Sequence, residues 1–464
     1  MKFSLKRIGK GVVSAVCCVA LAATFVGCGE KSGSADVKTV EVWSPDSHSK
    51  TVMNELVNNW NETKGKELGL KIVYTVKEGD IKQAVDMAMI SKQAPDLFSS
   101  VDVTKYSDSH EIYPISDLPG GEEMIAKYDK DLLKSTSFTG VDGKVYCLPA
   151  TVLTFGLVYN KDMFRKYGIV DENGEPTPPK TFAQVREYAK RMTNEKEQDF
   201  GIILPMKWGA FYATDVNQLV WGGAGRTAFD CRTGQYDFSH IKPIYEMYKG
   251  MKDDGSIFPG PEGLDNDMAR AYFAERNIGM KFAGSYDVGV FNSQFPAKCD
   301  WGVAPYPVAD ENNAYKRYMM VGGHYSLTTS AVEKLGADKA MEVLKFFYSD
   351  EMARKLYEEG MAIPYNAEVT KGVTPKEGLV GWDAFASFVE IGTSGYSTAS
   401  VEITGEDKDQ DVFMNKVWTG AITVDQAIAE LNERYNRGMK TYYTNNPNKK
   451  VEDKINKNWN SKID

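Results

Sequence analysis

Apolar positions recur along the chain with two spacings that take turns. In Val40-Glu41-Val42-Trp43 they alternate, which predicts a short strand followed by a loop over Ser44 to Ser49. Val52, Met53, Leu56, Val57 and Trp60 then keep the 3.6-residue period of a helix with one buried stripe. Leu70, Ile72, Tyr74 and Val76 alternate again, and a helix opening at Asp80 collects Ile81, Ala84, Val85, Ala88 and Met89 on one face. Ala94-Pro95-Asp96-Leu97-Phe98 ends that helix and starts a third strand. Strand, helix, strand, helix, strand predicts a parallel sheet covered on both faces.

A second unit of the same kind starts after Leu148-Pro149. Leu157-Val158-Tyr159 predicts a strand, and Lys161 to Tyr167 a helix stopped by Gly168. Thr181 with Gln184 forms a capping box for a helix that buries Phe182, Val185, Ala189 and Met192, and Thr423 with Gln426 repeats it. Further helices are predicted over 243–253, 265–276, 338–347 and 350–359. No internal repeat or low-complexity tract occurs, and the tail from 441 to 464 is polar and reads as loosely attached.

The first 27 residues read as an address. Lys2, Lys6, Arg7 and Lys10 precede an uncharged apolar run over 11–26. That run is shorter than the ~20 residues a spanning helix needs, so it reads as the core of a signal peptide. Phe25-Val26-Gly27-Cys28 then resembles the bacterial lipobox, although Leu is usual where Phe25 stands. The resemblance implies cleavage before Cys28, a diacylglycerol on its sulfur, and a protein lipid-anchored in the cell membrane and facing outside the cytoplasm. The other reading is a plain secreted protein with Cys28 as a spare thiol. Polar residues 28–36 read as a flexible tether.

A chain of 464 residues exceeds one ordinary core, so two or three domains are expected at ~100–200 residues each. The net charge is -9, and because residues 1–27 hold four bases and no acid, the chain from Cys28 onward carries -13. That balance gives no electrostatic case for nucleic acid or an anionic membrane surface. Past the lipobox only Cys147, Cys231 and Cys299 remain, without the close spacing of a zinc or redox motif; free thiols are expected, with one disulfide left open. His48, His110, His240 and His324 are far apart, and no phosphate loop, nucleophile elbow or H-E-x-x-H pair occurs, so no metal, no cofactor and no enzyme is expected.

One ordered set of motifs goes further. Gly143-Lys144-Val145-Tyr146-Cys147-Leu148-Pro149, followed by Leu157-Val158-Tyr159-Asn160-Lys161-Asp162-Met163-Phe164 and Gly168, resembles a block of the family 1 extracellular solute-binding proteins, the maltose-binding-like receptors of ABC importers. Ala94-Pro95-Asp96, Pro179-Lys180-Thr181-Phe182, Ile278-Gly279-Met280 with Gly284-Ser285-Tyr286, Gly322-Gly323, and Gly420 with Thr423 and Ala427 follow the family's order, with Tyr286 where Trp is common. The resemblance spans about residues 37–436. It implies a two-lobe α/β fold of the periplasmic-binding-protein type II kind, each lobe a mostly parallel sheet flanked by helices, joined by a hinge. The first lobe would take 37–150 and 325–367, the second 151–324 and 368–440. Crossings are expected near Ala150–Thr154, Val321–Tyr325 and Tyr365–Glu368. The implied function is capture of a solute, expected to be an oligosaccharide, by hinge closure, and its delivery to an ABC permease by a monomeric receptor.

Ligands of open α/β sheets sit beyond the carboxyl ends of strands. In the first lobe that rule selects Trp43, Asp46, His48 and Asp102, for which strand-end packing and helix capping are the alternative roles. In the second, Trp208, Tyr212 and Trp221 lie among small residues, and Tyr286 precedes Asp287; aromatic faces suit the C–H patches of sugar rings, while core packing is their other role. His324 and Tyr325 fall at the second crossing, and Trp382 is a weaker candidate. Where some oligosaccharide receptors carry an acid at the first crossing, this chain has Val152, Leu153 and Thr154, so maltose specificity does not carry over. A receptor for a peptide or polyamine, or an anchored glycoside-processing enzyme, stays as the alternative, since 64 acids always leave a carboxylate pair open.

Overall fold

The alternating segments build two sheets connected by a third. The computed structural model describes residues 37–77, 81–99, 101–322 and 325–463; the leader, Cys28, the tether and His324 lie outside them, as do Gly79 and Asp80. In the first lobe the strands Tyr325–Leu327, Leu97–Ser99, Lys38–Ser44 and Leu70–Val76 lie side by side in that order. Lys38–Ser44 runs parallel to both neighbours, and Tyr325–Leu327 joins the edge antiparallel. The helix Lys50–Trp60 buries the five residues of its predicted stripe against this sheet. A sheet made mainly of residues 38–99 is thus closed by a strand that comes after all four strands of the second sheet in sequence.

The second sheet is mixed rather than mostly parallel. Its order is Trp301–Pro305, Phe155–Asn160, Ile278–Gly284, Phe200–Ile202, and only the last pair is parallel. The reason lies in the route of the chain. Phe155 enters directly from the connecting sheet, and Gly284 faces Phe155 while Pro305 faces Gly156, so both return strands run back toward the entry point. Every residue of Phe155–Asn160 and Ile278–Gly284 is buried, as expected of central strands covered on both faces. The capping boxes of Thr181 with Gln184 and Thr423 with Gln426 both form, starting the helices Phe182–Met192 and Val424–Asn445.

Between the lobes lies a three-stranded sheet with Thr151–Leu153 at its centre. Met320–Gly322 and Ile363–Pro364 pair with it antiparallel, one on each side. The second and third crossings thus sit a residue or two earlier than the sequence suggested. Val321 packs against the cores of both lobes.

The C-terminal residues are not loosely attached. The indole of Trp459 lies against Trp221 and Tyr396, and its N–H donates to the Gly225 carbonyl at 2.8 Å. Ser461 and Ile463 add backbone bonds to Lys316 and Ala314. The few apolar residues of this polar stretch hold it down. Cys147, Cys231 and Cys299 are free, the last half-buried.

Candidate functional site

The route of the chain brings its strand ends to one cleft. The first-lobe loops begin where parallel strands stop, and in the second lobe the strand Ile278–Gly284 delivers Tyr286 toward the connecting sheet. The resulting cavity measures about 1100 Å³ and is walled by both lobes and by all three crossing strands.

From the first lobe come Asp46, His48 and Tyr325. Ser44 Oγ donates to the Asp46 carboxylate at 3.0 Å and Ser49 Oγ to its carbonyl at 3.3 Å, so a short hydroxyl-rich turn holds Asp46 at the strand end. His48 is exposed in that turn. Tyr325 is buried, and its backbone is held at both ends by the hydroxyl of Tyr348, another wall residue. Tyr128 and Tyr365 stack, with centroids 5.9 Å apart and planes 24° apart, and both border the cavity. Burial, helped by the Asp350 charge, pushes the Tyr128 hydroxyl up to about 12, so it stays a neutral donor. Glu123, Lys127, Asp350 and Glu368 add charge to this wall.

The second-lobe wall centres on Tyr286. Its ring meets the edge of Phe155 at 6.4 Å and lies over Gly284, where a Cβ would come within 2.4 Å of the ring. The guanidinium of Arg270, on the helix Asn266–Glu275, sits 5.5 Å from the same ring and also borders the cavity. Asp287 does not reach the cleft. It is fully buried, accepting from Arg270 Nε at 2.6 Å and from the Gly284 amide at 3.2 Å. Beneath this shelf Lys281 is almost completely buried and donates to the Phe282 carbonyl at 2.8 Å. Burial lowers its affinity for a proton, against the pull of Asp287 and Asp215. The Asp215 carboxyl is pushed the other way, up to about 7, by burial, which Lys281 opposes.

Several predicted residues lie elsewhere, for identifiable reasons. Trp43 does not border the cavity; the Lys77 ammonium covers its ring at 3.6 Å. Asp102 caps the helix Val103–Asp108, accepting from Lys105 N–H at 3.1 Å. Trp208 is half-buried against the second-lobe core. Tyr212 is buried there, its hydroxyl 2.7 Å from that of Tyr245. Trp221 is buried among Tyr318, Tyr396 and Trp459. Trp382 packs on Tyr357 with 1% of its surface exposed. Arg270, Tyr128 and Tyr365 border the cavity without having been singled out. Only Tyr365 carried a sequence signal, at the third crossing. Among the described residues, no group of three or more His, Cys, Asp and Glu side chains is arranged to hold a metal ion.

Three comparisons place these features among known proteins. Residues 45–354 match the family model described as bacterial extracellular solute-binding protein. A maltooligosaccharide ABC transporter solute-binding lipoprotein of Streptococcus pneumoniae is 25% identical over 363 residues, covering 74% of this chain and 78% of that protein. A galactooligosaccharide-binding protein of Bacillus subtilis is 24% identical over 441 residues, covering 89% and 90%. Among solved structures, the maltose/maltodextrin-binding domain of Bdellovibrio bacteriovorus bound to maltotriose superposes with a TM-score of 0.62 at 18% identity, covering 88% of this chain and 100% of that one.

Proposed function

Because the chain belongs to the bacterial extracellular solute-binding proteins, we propose that it captures a carbohydrate, an oligosaccharide, between its two lobes and presents the closed state to an ABC transporter permease. The observation that carries this reading is the cleft itself: tyrosine rings and hydrogen-bonding side chains share walls contributed by both lobes. Flat apolar faces suit sugar C–H groups, and the polar groups between them suit hydroxyls. The lobe limits follow the segments 37–150 with 325–367 and 151–324 with 368–440, so closure turns about the sheet of Thr151–Leu153. A solute that touches both walls stabilises closure by its differential affinity for that state. The proposed contact set keeps Asp46, His48, Tyr286 and Tyr325, adds Tyr128, Tyr365 and Arg270, and drops Trp43, Asp102, Trp208, Tyr212, Trp221 and Asp287 for the placements given above.

Relatives named as maltooligosaccharide- and galactooligosaccharide-binding support the ligand class. Those names describe binding proteins, which supports a receptor without turnover; that it acts as a monomer is part of the same proposal. The lipobox and the lipoprotein relative support an anchor on Cys28 and a position outside the cytoplasm. A thermal-shift screen of the protein without its leader, against neutral oligosaccharides, peptides and polyamines, tests the reading. A bound sugar at 100 times its Kd adds about 2.7 kcal/mol of stability. Shifts with peptides or amines and none with sugars would overturn it.

A further inference from the structure

We infer that Arg270 is the residue by which the second-lobe wall selects a neutral, hydroxyl-bearing ligand against both anionic and cationic ones, an inference that rests on the carbohydrate reading and narrows it. A guanidinium has five N–H groups and no acceptor. In Arg270, Nε donates to Asp287 at 2.6 Å and Nη1 to Asp267 at 2.8 Å, and no further acceptor is found among the described residues. The side chain is 16% exposed and borders the cavity. Its remaining donors therefore have the cleft as the place to find oxygen atoms.

Charge around the group decides which oxygens. Two carboxylates already face one guanidinium: Asp287, wholly buried, and Asp267, 71% exposed. Lys281 is buried close to them, its affinity for a proton lowered by burial and sustained by Asp287 and Asp215. Arg270 is already paired with Asp287 and Asp267, so an ionic ligand of either sign would bring into the cleft a charge that has to shed water with its counter-charge already taken. A sugar hydroxyl or ring oxygen accepts from the spare N–H groups and brings no such charge. Asp287 is the positioning residue, since its buried oxygens tie Arg270 to the Gly284 turn that carries Tyr286.

The test is calorimetric titration of the purified protein with maltotriose, raffinose, a maltotriose carrying a terminal glucuronate, and spermidine. The parent is expected to bind at least one neutral sugar, and the uronate about tenfold more weakly than its neutral counterpart or worse. Asp267→Asn, at an exposed position, should narrow that gap by removing one of the two carboxylates already paired with Arg270. Arg270→Ala alone strands the buried Asp287, so the informative variant is Arg270→Ala with Asp287→Asn. It should lose about tenfold or more in affinity for the neutral sugar while unfolding at a temperature that shows it is folded. A parent that takes the uronate as tightly as the neutral sugar overturns the inference while leaving the carbohydrate reading standing. So does a double variant that keeps its neutral-sugar affinity. A parent that binds spermidine and neither neutral sugar fails the carbohydrate reading and this inference with it.

Discussion

The hydroxyl of Tyr348 accepts the backbone N–H of Tyr325 at 2.9 Å and donates to the carbonyl of the same residue at 3.0 Å. It also accepts the Leu148 N–H at 3.0 Å. One phenol thus ties the segment that enters the first crossing to the segment that leaves the second. Tyr348→Phe keeps the ring and orphans two N–H groups, at about 1–3 kcal/mol each. A guanidinium unfolding midpoint well below that of the parent is expected; an unchanged midpoint would show that water replaces the hydroxyl.

Tyrosines of the cleft and aromatics of the core should respond differently to truncation. Tyr365→Ala should cost about threefold to tenfold in sugar affinity through loss of an aromatic face, with the unliganded protein melting near its starting temperature. Trp221→Ala should cost about 3–5 kcal/mol of stability, because it empties a site enclosed by three other rings. Titration and melting of the two variants side by side separate the roles.

Gly284 has no side chain because the Tyr286 ring occupies its space, with Cζ 2.7 Å and Cε1 2.4 Å from where a Cβ would stand. Gly284→Ala should therefore push the ring off its shelf. The expected result is a loss of sugar affinity of about tenfold, larger than the accompanying fall in melting temperature would suggest. Equal affinity in variant and parent would mean that the ring position does not matter to binding.

Two groups shifted by loss of hydration give stability opposite slopes with pH. The Asp215 carboxyl, carried by burial to about 7 from 3.8, favours the protonated folded state, so its contribution is full below about pH 4 and is lost as pH rises through 7. His240, held near 3 by burial and by the Arg226 charge, must fold neutral, so its contribution is present above 6.5 and is lost as pH falls toward 3. Asp215→Asn should raise the melting temperature at pH 8 relative to the parent, and His240→Asn should reduce the loss on acidification. Melting curves from pH 4 to pH 8 check both signs.

Much of the architecture was legible because period and capping speak locally. The stripe of Lys50–Trp60, the two capping boxes and the strand ends at Asp46 and Tyr286 all follow from neighbours within a few residues. Tyr212 and Trp221 were not legible as core. An aromatic residue among small ones looks the same in either role until its partners are known, and Tyr245 and Trp459 lie far along the chain. Arg270 was silent for the same reason: on its helix it is one more polar residue, and only the fold brings it to Asp287 and the ring of Tyr286. The mixed order of the second sheet was hidden too, since buried antiparallel and parallel strands read as the same apolar run.

The strand Tyr325–Leu327 bears on how the polypeptide must be made. Synthesis delivers Leu97–Ser99 early, yet its antiparallel neighbour emerges only after the whole of Trp301–Pro305 has been produced. For more than two hundred intervening residues the nascent molecule carries an unsealed backbone edge, open to strangers that can add a strand. Neither half is therefore encoded by one continuous stretch, and a translation product cut off near residue 300 would be left with that edge bare.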